Sequence, residues 1–597
     1  MKIENKRIYW AVLLMVVLSL WGCTNPVDGD SRVLVNLVET EGCTVLENGI
    51  MVEPGQDAVF TLQMEPGYTI TAADYAGDYS FQMRNGVMEL VLKDVQYPTH
   101  VRLELTSRYA TINYLPNGGD GNPVTSHHDL SYHVRPNTIR GTDLFSRNGY
   151  TLVSWNTEPD GTGTRVGLGS RISARGRVNL YAQWLPWTSA EAFRYTVTED
   201  GQVSLTEYTG SADVIVIPGT IDGMDVTRIC AGAFENCSAM QVVLHPNVDH
   251  VEPDAFRNAS ILTLTVFDNI QTISDDCFAG CSNLQTLYIN AFEAPYGYEY
   301  RKESVYADKV DMLIEAQGKK KMVFYAGCSA WYNLDGAAVN KEFGSDYRII
   351  NMALNGTVNS EVQLQIMAPF LEPGDILIHT LELSSPQQMM TRTGMRDTDD
   401  KLWCGLEYNY DLFALVDLRE VSGVFDSWCA YLKMKTTVSE YSGNFFDDDG
   451  QTYLDEYGCI PFYRGTTAKK LADSVYLDPS ILEKPLDRLG GWYRTFRDRG
   501  LQVYVSYACV NMDQVPEDQR GNVEEMDRLL KAALEAQDGP AVISDLRDYL
   551  YEQEDFYDTN YHLLTPETRE NTALWLRDLK EQMILDQLWR EKQIDPE

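Results

Sequence analysis

Cysteine is scarce in this chain, with 11 among 597 residues. That number is too low for a small fold that depends on disulfides, even in an oxidising compartment. Basic residues are also few, 49 against 87 acidic ones, which gives a formal net charge of −38. Such a surface repels phosphate backbones and anionic lipid headgroups, so we expect no nucleic-acid binding. A basic partner is compatible with this charge, although solubility alone would also explain it. The length suggests about four domains.

The first 23 residues have the layout of an export signal. Lys2, Lys6 and Arg7 precede the apolar run "IYWAVLLMVVLSLW", which is short for a membrane span. The run ends in "LWGC", which resembles a bacterial lipobox and implies a lipid-modified Cys23. The alternative is an ordinary signal peptide in which this Cys is incidental. We therefore expect an extracytoplasmic protein, soluble but anchored to the membrane of the cell envelope by its acyl chains.

Residues 24–107 are expected to form a small all-β module. The stretches "RVLVNLV", "DAVFTLQM" and "MELVLKDV" alternate or run apolar over lengths typical of strands. The groups "ENG", "EPG" and "RNG" are turn signals between them. The pattern predicts a sandwich-like module that carries no catalytic chemistry.

Residues 108–186 contain a distinctive order of aromatic and turn motifs. The stretches "YATINYLPNGG", "RNGYTLVSWNTEPDGTGT" and "VNLYAQW" resemble the Listeria–Bacteroides repeat of bacterial surface proteins. The resemblance implies a small β-grasp-like module that spaces or adheres. We expect an aromatic core, made of Tyr150, Trp155, Tyr181 and Trp184.

Residues 187–295 contain an internal repeat. Phe234, Phe256 and Phe278 follow one another at spacings of 22, with short apolar strands between them. A period near 22 is typical of leucine-rich repeats, in which each unit buries its apolar face on the next. The repeated "AF…C" motif resembles the BspA-like subtype of these repeats, and about three repeat units are expected. An array this short is expected to pack against a neighbouring domain and to be stabilised by it.

Two groups of side chains could be taken for metal ligands. His127, His128 and His133 lie close together in sequence, but we expect a solvated loop there. Cys237 and Cys281 recur at one repeat position, as small buried hydrophobic residues would. Their spacings to other cysteines do not suit zinc. We therefore predict no metal site and no cofactor.

Residues 296–597 alternate strands and helices. The runs "KKMVFYAG", "YRIINMAL", "GDILIHTL" and "LQVYVSYACV" suit strands that are buried on both faces, and helix-like stretches separate them. This order predicts an α/β domain with a doubly wound parallel sheet, whose functional sites lie at the carboxyl ends of the strands. The whole chain is thus expected to be multidomain, with all-β modules and a short solenoid before the α/β domain.

Three side chains of this domain could form a catalytic triad. Ser329 follows the first strand, and Asp558 and His562 lie in a polar turn before the last helix. A serine nucleophile needs a base for its proton and a carboxylate to orient that base. The alternative for Ser329 is a helix N-cap, for which serine is well suited. His379 lies inside an apolar strand and is expected to be satisfied by a neighbour.

The motifs "GCSAWYNLD", "IINMALNGTVNSEVQLQIMAPFLEPGDILIHTLE", "RGLQVYVSYACVN" and "FYDTNYHLL" resemble SGNH-type hydrolases. They are most similar to the branch related to D-alanyl transfer and polysaccharide O-acetylation. The resemblance covers residues 321–585, with a divergent middle at 386–490. It implies ester hydrolysis or acyl transfer, with Ser329 as nucleophile, His562 as base and Asp558 as its orienter.

The same resemblance implies an oxyanion hole. It would combine the backbone N–H groups of Ser329 and of the Gly356 region with the side chain of Asn351 or Asn355. The chain departs from the family in three respects. Ala353 stands where a Gly is usual, no Gly-x-Asn-Asp follows "GDILIHTLE", and the Asp precedes the His by four residues instead of three.

Two functions are compatible with the sequence. One is an esterase or O-acyltransferase that acts on a cell-wall or extracellular glycan. The other is a non-catalytic adhesion protein whose repeats bind a host or cell-surface protein, with the α/β domain as an inactive remnant.

Overall fold

The computed structural model describes most of residues 31–594. The gaps in this description are 39, 41, 66, 85–86, 108, 130–138, 140, 142, 173–175, 292–304, 357, 384, 386–389, 391–393, 397–399, 408, 438–453, 461–474, 483–485 and 558. The chain divides into two compact units, one up to Tyr109 and one from Ala110 onward.

The first unit consists of strands. They are β1 Val33–Leu37, β2 Cys43–Val45, β3 Ile50–Val52, β4 Gln56–Met64, β5 Tyr68–Ala73, β6 Tyr79–Arg84, β7 Val87–Val95, β8 Thr99–Val101 and β9 Leu103–Ser107. They form sheets ordered β3-β1-β8, β2-β4-β7-β6 and β5-β9. In β4 the buried residues Ala58, Phe60 and Leu62 alternate with more exposed ones, because successive strand side chains point to opposite faces.

The second unit begins with a five-stranded sheet ordered β11-β10-β14-β12-β13. Its strands are β10 Tyr109–Leu115, β11 Val124–Asp129, β12 Tyr150–Asn156, β13 Arg165–Val166 and β14 Gly176–Pro186. Trp155 is fully buried and packs edge-on against Tyr114 and Phe145. The expected aromatic core is therefore only partly right, because Tyr150 and Tyr181 are half-buried and Tyr114 and Phe145 take their place.

The described histidines of the "SHHDLSYH" stretch lie on a strand and not in a loop. His127 and His128 belong to β11, where their ring nitrogens pair with the hydroxyls of Thr111 and Ser126. His133 is outside the described residues. Within the described ranges, no group of three His, Cys, Asp or Glu side chains could hold a metal ion. The described cysteines form no disulfide with one another.

The repeat region follows. Its strands are β15 Phe193–Val197, β16 Val203–Tyr208, β17 Val214–Val216, β18 Thr220–Ile221, β19 Met224–Ile229, β20 Gln241–Val243, β21 His250–Val251, β22 Thr263–Phe267 and β23 Thr286–Asn290. Strands β17, β20, β22 and β23 pair in parallel, one from each turn of chain. The spacing of 22 stacks the rings of Phe234, Phe256 and Phe278, with centroids 4.8 and 5.3 Å apart.

A four-stranded parallel sheet ordered β25-β24-β26-β27 forms the centre of the α/β region. Its strands are β24 Lys321–Ala326, β25 Arg348–Asn351, β26 Ile376–Leu381 and β27 Gln502–Tyr507, and β28 Val510–Asn511 pairs with β29 Leu550–Tyr551. All four predicted strands are present. They are almost entirely buried, as expected for strands covered on both faces.

Helices flank this sheet. They are α1 Val305–Glu315, α2 Cys328–Asn333, α3 Gly336–Phe343, α4 Ser360–Met367, α5 Asp400–Leu406, α6 Val424–Thr437, α7 Asp487–Asp498, α8 Val523–Ala536 and α9 Thr565–Ile594. Short 3₁₀ turns lie at Ala190–Ala192, Asp275–Phe278, Ala368–Phe370, Tyr410–Leu415, Pro479–Leu482, Met512–Gln514, Arg520–Asn522, Leu546–Tyr549 and Gln553–Asp555. None of the helices in the described ranges has the length and apolarity of a membrane span.

The repeats end directly against the α/β region. Phe425 of α6 stacks on Phe278 at 4.5 Å and so extends the ladder of rings by one member. The Asp275 carboxylate accepts the backbone N–H groups of Gly423 and Phe425, at 2.5 and 2.9 Å. The α/β region therefore caps the solenoid, whose last apolar face would otherwise be open to water.

Candidate active site

The strand order of the parallel sheet reverses between β24 and β26. Ligand sites of such sheets lie at this point, in the crevice beyond the carboxyl ends of the strands. Ser329 follows the end of β24, and Glu382 immediately follows β26. Both side chains are buried there, with 0% of Ser329 and 4% of Glu382 exposed.

Ser329 is not the cap of its helix. Helix α2 begins at Cys328 with Gly327 as its N-cap, and no side chain makes a capping hydrogen bond. The buried hydroxyl oxygen of Ser329 has no regular hydrogen-bond partner among the described residues. The N-cap interpretation of this serine is therefore wrong, and its hydroxyl contributes no capping energy.

His562 lies against the same helix. Its ring stacks on the ring of Tyr332, with centroids 3.6 Å apart and planes 11° apart. Tyr332 is three residues after Ser329, and residues three apart share one face of a helix. His562 therefore packs on the helix that carries the serine, although 230 residues separate Asn333 from Leu563, the two residues that join these segments. The Oγ of Ser329 and the Nε2 of His562 make no regular hydrogen bond to each other.

Asn333 holds the turn of His562 on α2. Its side-chain amide donates to the carbonyl of Tyr561 at 2.7 Å, and its oxygen accepts the N–H of Leu563 at 2.8 Å. The carbonyl of His562 in turn accepts the N–H of Tyr557 at 2.8 Å. Backbone groups on both sides of the histidine are therefore fixed, which orients its ring. The sequence reasoning missed Asn333, and nothing in its local sequence marks it.

The predicted oxyanion-hole residues do not all come together. The side-chain amide of Asn351 donates to the carbonyl of Ala330 at 2.9 Å, so it braces the first turn of α2 instead of facing a substrate. Asn355 is half-buried, and its backbone carbonyl accepts the N–H of Val358. Gly356 does lie at the site, because a Cβ atom there would be 2.5 Å from Oε2 of Glu382.

Glu382 is a second residue of this site that the sequence did not reveal. Its Oε1 accepts the backbone N–H of Ser329 at 3.0 Å. Burial raises the pKa of the Glu382 carboxyl group, and the proximity of the Ser329 N–H and hydroxyl partly opposes this rise, although the hydroxyl lacks regular hydrogen-bond geometry. The available signal was an acidic residue directly after the apolar run "GDILIHTL".

A small pocket of about 10 Å³ lies beside Glu382, with room for roughly one water molecule. Its lining residues are Glu382, Leu383, Val475, Tyr476, Leu477, Ala508, Cys509, Val510 and Tyr561. Burial and the nearby Glu382 raise the pKa of the Cys509 thiol well above its usual range. The site is therefore closed and mostly apolar in this conformation.

Three further predictions have separate outcomes. Asp558 and Cys23 lie outside the described residues, so their expected roles stay predictions. His379 lies inside strand β26 as predicted, and a neighbour satisfies its Nδ1, which is 2.6 Å from the hydroxyl of Tyr493 in the core.

The repeat region is the part of this chain that matches a known protein family. Residues 211–298 match the family model of the BspA type leucine rich repeat region, in six copies, where the Phe spacing indicated about three units. The chain therefore contains BspA-type repeats between a β-rich N-terminal region and a C-terminal α/β region.

One solved structure with a similar segment is the crystal structure of a leucine-rich repeat protein from T. pallidum. It is 21% identical to this chain, and the match covers 17% of this chain and 70% of that one with a TM-score of 0.12. No curated protein matches the chain.

Proposed function

We propose that the α/β region, residues 296–597, is a serine acyl-transfer domain of SGNH type. The observation that carries the proposal is the stacking of the His562 ring on the Tyr332 ring. Tyr332 and Ser329 share one face of α2, which follows the strand β24 at the switch point of the sheet. In this proposal the Ser329 oxygen attacks an acyl carbonyl carbon while His562 takes the hydroxyl proton. The proton then goes to the departing alcohol, and water or a second hydroxyl group removes the acyl group from Ser329.

The substrate in this proposal is an ester on a cell-wall or extracellular glycan, and Asp558 orients His562. The preceding modules, sandwich-like up to 107 and of Listeria–Bacteroides type over 108–186, would hold the domain away from a membrane anchor at Cys23. The acidic surface is compatible with a polymer substrate that carries basic or neutral groups.

Labelling of the purified chain with a fluorophosphonate ester, read by intact mass, tests this proposal. We expect one adduct on the wild type and on Cys328→Ala, and no adduct on Ser329→Ala. The cysteine variant is the control because its side chain is adjacent and also nucleophilic. A folded wild type that forms no adduct at any pH from 5 to 8 would remove the enzyme proposal.

Binding through the repeats is a second candidate, and the match to BspA-type repeats favours it. Val214, Gln241, Thr263 and Thr286 form one row across the four parallel strands, and none of them is buried. An adhesive surface along this row would lose affinity for immobilised glycans or matrix proteins in a Gln241→Arg, Thr263→Arg variant. Equal retention of variant and wild type on all of these surfaces would contradict it.

A further inference from the structure

The carboxyl group of Glu382 lies between the two backbone segments expected to form an oxyanion hole. Oε1 accepts the N–H of Ser329 at 3.0 Å, and Oε2 lies so close to Gly356 that a Cβ atom there would be 2.5 Å from it. A reacting carbonyl oxygen would need that same N–H at about 2.7–3.1 Å. Glu382 therefore occupies the position that the substrate oxygen has to take.

The groups that face this carboxyl group are mostly neutral. The hydroxyl and N–H of Ser329 approach it from α2, and the pocket beside it contains Cys509, Tyr476 and Tyr561. Cys328 is near Cys509, whose pKa it also raises, and no Lys or Arg is among the described residues that line the pocket.

The protonation state of Glu382 decides what it does to a developing oxyanion. An ionised carboxylate repels the negative charge and competes for the N–H of Ser329. A neutral carboxylic acid has a proton to donate and stabilises that charge, as a buried neutral carboxyl does in some oxyanion holes. Glu382 is the first residue after β26, so its carboxyl group lies at the carboxyl end of that strand, beside the N–H of Ser329.

Resting on the proposed function, we infer that Glu382 controls the oxyanion hole of Ser329. As a carboxylate it closes the hole by holding the Ser329 N–H, and as a neutral acid it donates a hydrogen bond to the reacting oxygen. The carboxyl proton stays on Glu382 throughout the acyl transfer, so no bond to Glu382 is made or broken. Burial, which raises the pKa of this carboxyl group, favours the neutral form.

The test measures the rate of fluorophosphonate labelling of Ser329 in the full chain between pH 5 and pH 8. Glu382→Gln keeps the size of the side chain and is neutral at every pH. Glu407→Gln is the matched control, because Glu407 is also buried but bonds to Tyr431 elsewhere in the region. Thermal denaturation checks that each variant is folded.

We expect the wild-type rate, relative to Glu382→Gln, to fall about tenfold for each pH unit above the pKa of Glu382. Above that pKa the Gln variant should therefore label faster than the wild type by a ratio that grows with pH, and the Glu407→Gln profile should follow the wild type. Any pH dependence that the three proteins share cancels in this ratio.

The other outcomes of the labelling experiment distinguish a failure of the Glu382 role from a failure of the proposed function. Equal rates for Glu382→Gln and wild type at every pH, or a slower Gln variant, would overturn the role of Glu382 and leave the serine nucleophile in place. No labelling of either protein at any pH would instead remove the proposed function. If Glu382→Gln does not fold, the wild-type profile alone decides, because a labelling rate that never falls as the pH rises contradicts a closing carboxylate.

Discussion

Lys309 shows what a buried charge costs at the scale of one residue. Its side chain is fully buried in α1, where its Nζ donates to the carbonyl of Ala353 at 2.6 Å and lies 4.9 Å from the centre of the Trp331 ring. Burial lowers the pKa of this amine from 10.5 to about 7. The loss of hydration is the main cause, because it disfavours the charged form.

This shift predicts a pH dependence of stability. Between about pH 7 and pH 10.5 the unfolded chain binds the Lys309 proton and the folded chain does not, so the free energy of unfolding rises with pH. Relative to Lys309→Met, the wild type should gain up to about 1.4 kcal/mol per pH unit in this window. Urea denaturation at pH 7 and pH 9 measures it, with the exposed Lys580→Met as control. Parallel pH slopes for the wild type and Lys309→Met would contradict the prediction.

The sequence predicted some site residues and not others, for physical reasons. Ser329 was placed correctly at a strand end, because the apolar run before it marks the strand. Whether its hydroxyl caps a helix depended on where that helix begins, and the structure places the cap at Gly327. The amide of Asn351 and the carboxyl group of Glu382 took their roles from partners far away in sequence, which no local pattern reveals.

At the scale of elements, buried strands were the most predictable parts. Each of the four central strands is a run of apolar residues, which only a sheet covered on both faces accommodates. Helix ends were less predictable. The stretch "AWYNLDGAAVNKEF" has a helix-like composition throughout, but α2 ends before Leu334 and α3 starts after Asp335, whose carboxylate accepts the N–H of Ala338 at 3.0 Å. The competing N-cap at this aspartate was not recognised.

The contact between Asp275 and α6 leads to a second stability prediction. Asp275→Ala removes the acceptor for the N–H groups of Gly423 and Phe425, which should cost about 1 kcal/mol, as the loss of a helix cap does. Asp276→Ala is the matched control, because that neighbouring side chain is exposed. Chemical denaturation of both variants measures the difference. Equal stabilities would show that the cap does not hold the repeats on the α/β region.

At the scale of the whole molecule, residues 110–597 behave as one compact unit. The repeats and the α/β region share one hydrophobic core, and the ring ladder that ends in Phe278 and Phe425 crosses from one to the other. The expectation that a short array leans on its neighbour is thus confirmed in structural terms. It follows that neither part is complete without the other.

Truncation should expose this dependence. In a fragment of residues 296–597, Phe425 of α6 lacks its partner ring, Phe278, and is exposed to water. We therefore expect this fragment to melt at a lower temperature than a fragment of residues 110–597. Calorimetry of the two fragments, with binding of a hydrophobic dye, measures the effect. A single transition at the same temperature in both would mean that the α/β region is independent of the repeats.

The central proposal is that His562 activates Ser329, and the rate of fluorophosphonate labelling of His562→Gln in the full chain tests it most directly. The wild type and the distant His250→Gln serve as references, and a melting curve shows that each protein is folded. The account predicts labelling slower by about 10²–10⁴-fold in His562→Gln and unchanged in His250→Gln, because a positioned base contributes about that much. Labelling of His562→Gln at the wild-type rate would contradict it, and Ser329 would then be a buried serine without a catalytic base.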